Sequence, residues 1–282
     1  MSIISEYTYT RSYRGKIKAA ILDWSGTLAD AYVIAPARVF VEVFKSQGVE
    51  ISMEEARGPM GLRKDLHILK LTQDPVIAAR WEAIKGTPPT QADVDVMFAE
   101  FVPAQIACLP EYTTLLPGIK DVCNKLQADG IKIGVSTGFV RSMVDVLMKD
   151  VIAQGFTPDA SVAGDEVVNG ARPDPHMVFK NLDLMNISDV KSVVKCDDTV
   201  SGIGEAMNAG CWGVGLVRYS NYMNVNTLEE AATLTDADIA ARMAKTRKIL
   251  EQAGAHYVID SLVELPAVID DINARLARGE KP

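Results

Sequence analysis

The sequence predicts an α/β fold in which a doubly wound parallel sheet carries an inserted all-helical domain. Apolar runs of strand length recur along the chain and alternate with segments of helical periodicity, which is typical of βαβ units. Between about residues 34 and 107 the strand pattern stops and helix signals take over. We interpret this all-helical stretch as an insertion into the sheet domain.

Four apolar runs are the predicted core strands. Buried parallel strands have near-continuous apolar sequences, and ligands of such sheets bind beyond the carboxyl ends of the strands. Asp23, Ser136 and Asp198 each follow such a run and are expected to converge at one edge of the sheet. The runs are AAILDWSGT (19–27), IKIGVSTG (131–138), VKSVVKCDDT (190–199) and CWGVGLV (211–217).

Three helix starts are indicated inside the insertion. Ser52 with Glu55 forms a capping box, Asp74 is followed by Pro75, and a third helix begins at Thr90. An insertion directly after the first strand lies over the active-site edge of such a sheet, where it can exclude water and complete a catalytic set. The segment is therefore expected to act as a lid.

The chain is accordingly divided into an α/β core (15–33 and 108–282), a helical cap (34–107) and an N-terminal extension (1–14). After the last core strand, a helical segment that begins near Thr227 precedes a short edge strand, HYVIDS, and a final helix through Arg278. Two interpretations of the extension stay open: a disordered tail, or a segment that packs against a second subunit.

The composition argues against several classes of partner. The net charge of −8 and the lack of a basic run are unlike a nucleic-acid or anionic-membrane surface. No stretch reaches 18 uninterrupted apolar residues, so no membrane span is expected, and the polar N-terminus does not resemble a signal peptide. The four cysteines lack metal-binding spacing, which is typical of reduced thiols in a cytoplasmic protein.

Asp23 is the predicted nucleophile. A carboxylate at a strand end, beside Gly26 and a helix start, suits in-line attack because backbone N–H groups can hold phosphoryl oxygens. The hydroxyl of Ser136 and the guanidinium of Arg172 suit a phosphoryl group that carries close to two negative charges. Each of these residues taken alone also has a plainer interpretation, as a turn, cap or surface residue.

In chain order, the segments DWSGT, VSTG, ARPDP and KCDDTVSG resemble the four motifs of the haloacid dehalogenase superfamily. The resemblance implies a Rossmann-like core of the haloacid dehalogenase type that binds phosphate and Mg²⁺, with Asp23 as the nucleophile. The phosphate-binding residues would be Ser136, Thr137, Gly138 and Arg172, and the Mg²⁺ ligands would be Asp23, Ser25 and Asp198, with Asp197 a weaker candidate.

Ser25 is an informative departure from the superfamily pattern. Most phosphoester-cleaving members carry an aspartate at this position, which protonates the leaving oxygen as a general acid. A serine cannot do so at neutral pH. The site is therefore predicted to suit a leaving group other than an alkoxide.

The element PMGLRKDLH narrows the resemblance to the phosphonoacetaldehyde hydrolase (phosphonatase) family, over about residues 17 to 277. In that family the lysine of this element forms a Schiff base with the substrate aldehyde, and by position this is Lys64. Met60 and His67 correspond to the methionine and histidine of the element. The resemblance implies hydrolysis of phosphonoacetaldehyde to acetaldehyde and phosphate, in phosphonate catabolism, by a homodimer that associates through the cap.

The residue types in this element support such a role. Pro59 is a natural first helical residue, so Met60, Lys64 and His67 are predicted at i, i+4 and i+7 on one helix face. A lysine that shares a face with Met and His can be partly desolvated, which lowers its pKa toward about 7 to 8. Some free amine would then exist at neutral pH.

Three positions depart from the phosphonatase pattern and leave alternatives open. Val33 stands in place of a common cysteine, Phe139 in place of a tyrosine, and Gly202 in place of a metal-supporting aspartate whose role Asp197 could take. One alternative is a hydrolase of a related phosphonoaldehyde. The others are a phosphatase or phosphomutase that acts on a phosphoester, and a catalytically silent protein that binds a phosphorylated ligand or a partner protein.

Overall fold

The computed structural model describes residues 12–282 and contains, within that range, one six-stranded parallel sheet. Its strands are β1 (Ala19–Leu22), β2 (Lys132–Thr137), β3 (Ala160–Ala163), β4 (Val193–Asp197), β5 (Trp212–Leu216) and β6 (Tyr257–Ile259). The strand order is β3-β2-β1-β4-β5-β6, so the chain winds outward from β1 in both directions. The predicted doubly wound sheet is confirmed.

Twelve α-helices lie within residues 12–282. They are α1 (Ile34–Ser46), α2 (Met53–Arg57), α3 (Lys64–Gln73), α4 (Pro75–Lys85), α5 (Gln91–Cys108), α6 (Ile119–Ala128), α7 (Arg141–Ala153), α8 (His176–Leu184), α9 (Val200–Ala209), α10 (Leu228–Thr233), α11 (Asp236–Gln252) and α12 (Leu265–Ala277). The first five helices form the insertion between β1 and β2, as the sequence predicts.

Strand β1 is buried on both of its faces. Ala20 and Leu22 pack in one apolar core, whereas Ala19 and Ile21 pack in another. Because alternate side chains of a strand point to opposite faces of the sheet, both faces must be covered by helices. This burial accounts for the continuous apolar sequence of β1, and the first acid, Asp23, comes only where the strand ends.

The predicted helix starts in the cap are confirmed. Ser52 and Glu55 form the capping box of α2, and Asp74 caps α4, with Pro75 in the first turn. Thr90 caps α5. Each of the three N-cap side chains accepts hydrogen bonds from N–H groups that have no partner inside the helix.

Two elements were missed and one helix was wrongly extended by the sequence patterns. β3 is only four residues long, ASVA, and contains small residues that do not form a clear apolar run. α7 follows β2 without a capping side chain at its start. The helical segment after Thr227 is two helices, because Thr235 forms a capping box with Asp238 and begins α11.

The linker from the sheet to the cap has a strained backbone. Asp30, Tyr32 and Val33 have φ values of 50°, 67° and 56°. A residue other than glycine in this left-handed region costs roughly 1–3 kcal/mol, and a β-branched residue such as Val33 is especially unfavourable there. The carboxylate of Asp30 offsets part of this cost, since it accepts from the N–H groups of Ile34 and Ala35 at 3.0 and 3.2 Å.

The boundaries between core, cap and extension stay predictions, although the insertion of helices α1 to α5 agrees with them. The N-terminal extension lies outside the described residues except for residues 12–14. All four cysteines are free thiols. Among the described helices, none combines the length and the apolar character that crossing a bilayer requires.

Candidate active site

Three aspartates meet at the carboxyl edge of the sheet. Asp23 follows β1, Asp197 ends β4 and Asp198 comes next, and the two strands are neighbours in parallel register. One carboxylate oxygen of each aspartate lies within 4.8 Å of the other two, and all three residues are buried. Like charges at this distance disfavour ionisation, so the arrangement requires cations.

The guanidinium of Arg172 is the central cation of this cluster. It is 1% exposed and pairs with Asp23 Oδ1 at 2.8 Å, Asp197 Oδ2 at 3.1 Å and Glu205 Oε2 at 3.0 Å. It also donates to the carbonyl and the hydroxyl of Ser136, at 2.7 and 3.1 Å. Because a guanidinium donates in fixed directions, these bonds hold the carboxylate of Asp23 in place.

Lys195 is a second buried cation, which the sequence motifs do not predict. Its Nζ lies 2.7 Å from Asp197 Oδ2 and 3.7 Å from Glu205 Oε2, and all three side chains are fully buried. The signal was a lysine inside the apolar run of β4, where a buried strand has no place for an unpaired charge. Glu205 is likewise an acid at a buried position of α9, so it too requires a buried partner of opposite charge.

A divalent cation fits this set of oxygen donors. Burial raises the pKa of Asp23, and the charge of Arg172 opposes that rise. Burial, and then the charges of Asp197 and Asp23, raise the pKa of Asp198 well above its usual range. Within residues 12–282, Asp198 Oδ1 is buried without a hydrogen-bond partner. A hard cation would satisfy that oxygen and reduce the repulsion among the three carboxylates.

A small cavity lies between this cluster and the cap. Its volume of about 20 Å³ has room for about one water molecule. It brings together eight of the residues predicted from the sequence: Asp23, Ser25, Met60, Lys64, Thr137, Gly138, Arg172 and Asp198. The other lining residues are Val33, Pro36, Gly61, Phe139 and Thr199.

Lys64 enters the cavity from the first residue of α3 and is 4% exposed. Its Nζ lies 4.8 Å from the ring centroid of Phe139 and 5.8 Å from that of Phe40. Burial lowers the pKa of Lys64 to about 8, although the charge of Asp23 opposes this. This value agrees with the partly desolvated amine expected from the sequence.

The prediction that Met60, Lys64 and His67 share one helix face is wrong. α2 ends at Arg57 and α3 begins at Lys64, so Met60 lies in the turn between them. Gly61 has a φ of +92°, which breaks the helix inside this element. Met60 and Lys64 nevertheless line the same cavity, from the turn and from α3.

His67 does not line the cavity. Its Nε2 lies 2.9 Å from the carbonyl of Ala56, which can only accept, so Nε2 carries the proton. Its ring stacks on Phe40, with centroids 3.8 Å apart. Burial, and then the charge of Lys64, lower the pKa of His67 well below its usual range. The neutral imidazole therefore supports Phe40, whose ring centroid lies 5.8 Å from Lys64 Nζ.

The second motif contributes Thr137 and Gly138 to the cavity, whereas the Ser136 side chain is directed to Arg172. Ser136 is fully buried. The Thr137 hydroxyl accepts from the N–H of Phe139 at 3.2 Å. Thr137 is therefore the better-placed hydroxyl for a bound phosphoryl group, and Ser136 orients the arginine.

The side chain of Asp197 occupies the space next to Gly202, which leaves no room for a larger residue at that position. A Cβ on Gly202 would overlap the carboxyl group of Asp197. Asp197 Oδ1 accepts from the N–H and the hydroxyl of Thr199 at 3.0 and 2.7 Å, while Oδ2 pairs with Arg172 and Lys195. Because both oxygens already have strong partners, Asp197 supports the site by positioning Arg172 and Thr199.

Comparisons with known proteins identify the family of this chain. The family model of haloacid dehalogenase-like hydrolases matches residues 17–210. The phosphonoacetaldehyde hydrolases of Klebsiella pneumoniae and Salmonella typhi are 43% and 42% identical over 268 residues, which cover 95% of this chain and 99% of each relative. The crystal structure of a phosphonoacetaldehyde hydrolase-like protein from Oleispira antarctica has a TM-score of 0.94 at 37% identity and covers 99% of this chain and 100% of that one.

The chain therefore belongs to the haloacid dehalogenase-like hydrolases and is an enzyme of the hydrolase class. Within that group it belongs to the phosphonoacetaldehyde hydrolase family. The two resemblances drawn from the motifs are confirmed.

The first prediction concerns the stability contributed by Lys195. Replacement by methionine leaves Asp197 and Glu205 buried with one cation fewer, which is expected to lower the free energy of unfolding by about 3–5 kcal/mol. Urea unfolding followed by circular dichroism measures it. The control Lys125→Met removes an exposed pair with Asp129, worth no more than about 0.5 kcal/mol. Equal losses in the two variants would contradict the prediction.

The second prediction concerns positions 197 and 202, which compete for one space. Asp197→Gly removes a partner of Arg172, and Gly202→Asp introduces an overlap, so each single variant is expected to be less stable than the wild type. The double variant is expected to recover about 1–3 kcal/mol relative to the sum of the two losses. Urea unfolding of the four proteins measures this coupling, and strictly additive losses would argue against a shared space.

Proposed function

We propose that the enzyme hydrolyses phosphonoacetaldehyde to acetaldehyde and phosphate, through a Schiff base on Lys64 and an aspartyl phosphate on Asp23. One observation carries the proposal: a buried amine whose pKa is lowered to about 8 lines the same small cavity as the carboxylate. The names of the relatives support the choice of substrate. Ser25 supports it as well, since a phosphoester phosphatase requires an acid for the leaving oxygen.

The amine is needed because attack on a phosphonate would otherwise expel a carbanion. The free amine of Lys64 adds to the aldehyde carbon, water leaves, and a protonated imine forms. The Asp23 carboxylate then attacks phosphorus, and the electron pair of the breaking carbon–phosphorus bond moves into the imine to give a neutral enamine. The barrier falls because no carbanion develops.

Two hydrolyses complete the turnover. The enamine is protonated on carbon, and water releases acetaldehyde and restores the Lys64 amine. A second water cleaves the aspartyl phosphate to phosphate and the free Asp23 carboxylate. Imine formation releases one water and the two hydrolyses consume two, so the net reaction uses one water per phosphonoacetaldehyde.

The phosphonate end is assigned to the core side of the cavity. The guanidinium of Arg172, the hydroxyl of Thr137 and the backbone at Gly138 lie there and suit a dianion. We assign Mg²⁺ to Asp23, Asp198 and the carbonyl of Ser25. When bound, the ion supplies positive charge that offsets repulsion between the phosphoryl oxygens and the nucleophilic carboxylate.

The cellular setting stays as predicted from the sequence and the family. We propose a cytoplasmic enzyme of phosphonate catabolism that forms a homodimer through the cap. The net charge of −8 and the four free thiols agree with the cytoplasmic assignment. Size-exclusion chromatography with light scattering, repeated on the variants below, tests the oligomeric state.

The third prediction is that Lys64 is trapped by its substrate. Incubation with phosphonoacetaldehyde and cyanoborohydride is expected to add mass to the peptide that contains Lys64, because reduction of the imine is irreversible. Lys64→Arg keeps the charge and is expected to show neither the adduct nor phosphate release. Asp23→Asn is expected to keep the adduct but to lose phosphate release. Wild-type turnover by Lys64→Arg would refute the imine mechanism.

The fourth prediction is the pH dependence of this trapping. Because the lowered pKa of Lys64 is about 8, the amine is protonated below that pH and free above it. The initial trapping rate is therefore expected to rise from pH 6 to about 8 and then to level off, whereas an ordinary lysine would give a rise up to about pH 10. Quenched mass spectrometry measures the rate. A rate that still climbs steeply above about pH 9.5 would contradict the lowered pKa.

A further inference from the structure

We propose that Arg57 is a positioning residue that latches the cap onto the core and, through Asn221, couples cap closure to the placement of Asp198. Arg57 ends α2 and is 4% exposed, directly before the turn that carries Met60. The cavity has room for about one water molecule, so a substrate can enter only when the cap moves. A latch between cap and core therefore acts on the access step.

The guanidinium of Arg57 joins two separate parts of the core to the cap. Its Nη1 donates to the carbonyl of Tyr32 in the linker at 2.5 Å and to Asn221 Oδ1 at 3.1 Å. Its Nη2 donates to the carbonyl of Val225 at 2.5 Å, and its Nε lies 3.4 Å from Asn226 Oδ1. These acceptors match the arginine fork only while α2 lies against the loop that follows β5.

All four of these acceptors are neutral carbonyl or amide oxygens. A buried guanidinium loses its hydration, and neutral oxygens replace it only if their geometry is good. Movement of the cap away from the core would break these bonds together and return the group to water. The side chain is thus suited to two states, bonded in the closed form and hydrated in an open one.

Asn221 connects this latch to the metal-binding acid. Its backbone N–H donates to Asp198 Oδ2 at 2.7 Å, while its side-chain amide donates back to the carbonyl of Arg57 at 3.2 Å. Ser220, the residue before it, donates to the carbonyl of Asp198 at 2.8 Å. Displacement of Arg57 would therefore release the loop that holds the Asp198 carboxylate.

Arg57 also stabilises the strained backbone of the linker. Tyr32 and Val33 lie in the left-handed region, and Tyr32 is bonded at both of its backbone groups. Its carbonyl accepts from Arg57, and its N–H donates to the carbonyl of Tyr219 at 2.8 Å. Strained backbone persists only where its surroundings enforce it. Without Arg57 the linker is expected to relax and to withdraw Lys64 from Asp23.

Hydrogen exchange with mass spectrometry, in buffer that contains Mg²⁺, tests the latch. In Arg57→Met, peptides that cover residues 30–34 and 219–226 are expected to exchange at least about tenfold faster, while those of β1 and β2 keep wild-type protection. Arg57→Lys, which keeps the charge but not the fork, is expected to give a smaller increase. The control Arg80→Met removes a pair with Glu55 inside the cap and is expected to leave both segments unchanged.

Two further readouts separate positioning from plain stability. Mg²⁺ affinity measured by calorimetry is expected to fall at least about threefold in Arg57→Met and in Asn221→Ala, and the double variant is expected to be no weaker than the weaker single variant. The rate of Lys64 trapping is expected to fall in parallel with the closed population, while Arg80→Met keeps the wild-type rate.

Several outcomes would overturn the latch. They are unchanged exchange in the two segments, faster exchange spread equally over β1 and β2, and additive losses of Mg²⁺ affinity. If Arg57→Met does not fold, Arg57→Lys and Asn221→Ala are judged by the same criteria. Only the trapping readout rests on the proposed function: if wild-type protein shows no adduct but the exchange pattern holds, the imine is wrong and the latch stands.

Discussion

Three buried carboxyl groups pair with one guanidinium at the carboxyl edge of the sheet, and the rest of the site depends on that cluster. Arg172 contacts Asp23, Asp197 and Glu205, and Lys195 adds a second cation on the side away from the cavity. Buried charges are tolerated only when they are paired and hydrogen-bonded. Because β1 and β4 are neighbours, Asp23 and Asp197 lie close enough for Arg172 to pair with both.

The cap surrounds the Lys64 amine with apolar groups, whereas Asp23 lies among cations. A Cβ on Gly138 would overlap the carbonyl of Leu62, so the glycine lets the cap backbone lie directly against the end of β2. Phe139 and Phe40 surround the Lys64 amine with rings, and burial lowers its pKa. One cavity thus holds a carboxylate among cations and an amine among apolar groups. Burial raises the pKa of Asp23 and lowers that of Lys64, so the two pKa values move toward each other and some free amine exists beside the carboxylate at neutral pH.

What the sequence predicted correctly depends on short-range rules. The strand that ends in Asp23 and the capping side chains of Ser52, Asp74 and Thr90 are visible because local hydrogen bonds and burial determine them. Lys64 was identified through the resemblance of PMGLRKDLH to one family. The spacing of residues along the predicted helix would not by itself have distinguished this lysine from a surface lysine.

What the sequence did not predict depends on packing between distant segments. Lys195 and Glu205 lie ten residues apart in the sequence. Their charges form pairs only when β4 and α9 pack around Arg172, so the sequence alone does not link them. The choice between Ser136 and Thr137 depends on which way a strand-end side chain points. Arg57 resembles an ordinary basic residue at a helix end until its acceptors in the linker and the 221–226 loop are seen.

We propose, above all, that the Lys64 amine and the Asp23 carboxylate act on one substrate molecule inside one cavity. A crystal structure of the borohydride-reduced adduct of Asp23→Asn, which cannot take the phosphoryl group and so keeps the carbon–phosphorus bond, tests it most directly. We expect continuous density from Lys64 Nζ through a two-carbon chain to a phosphonate that contacts Arg172 and faces the side chain at position 23. Density that leads from Lys64 into solvent, with the phosphonate remote from position 23, would contradict it.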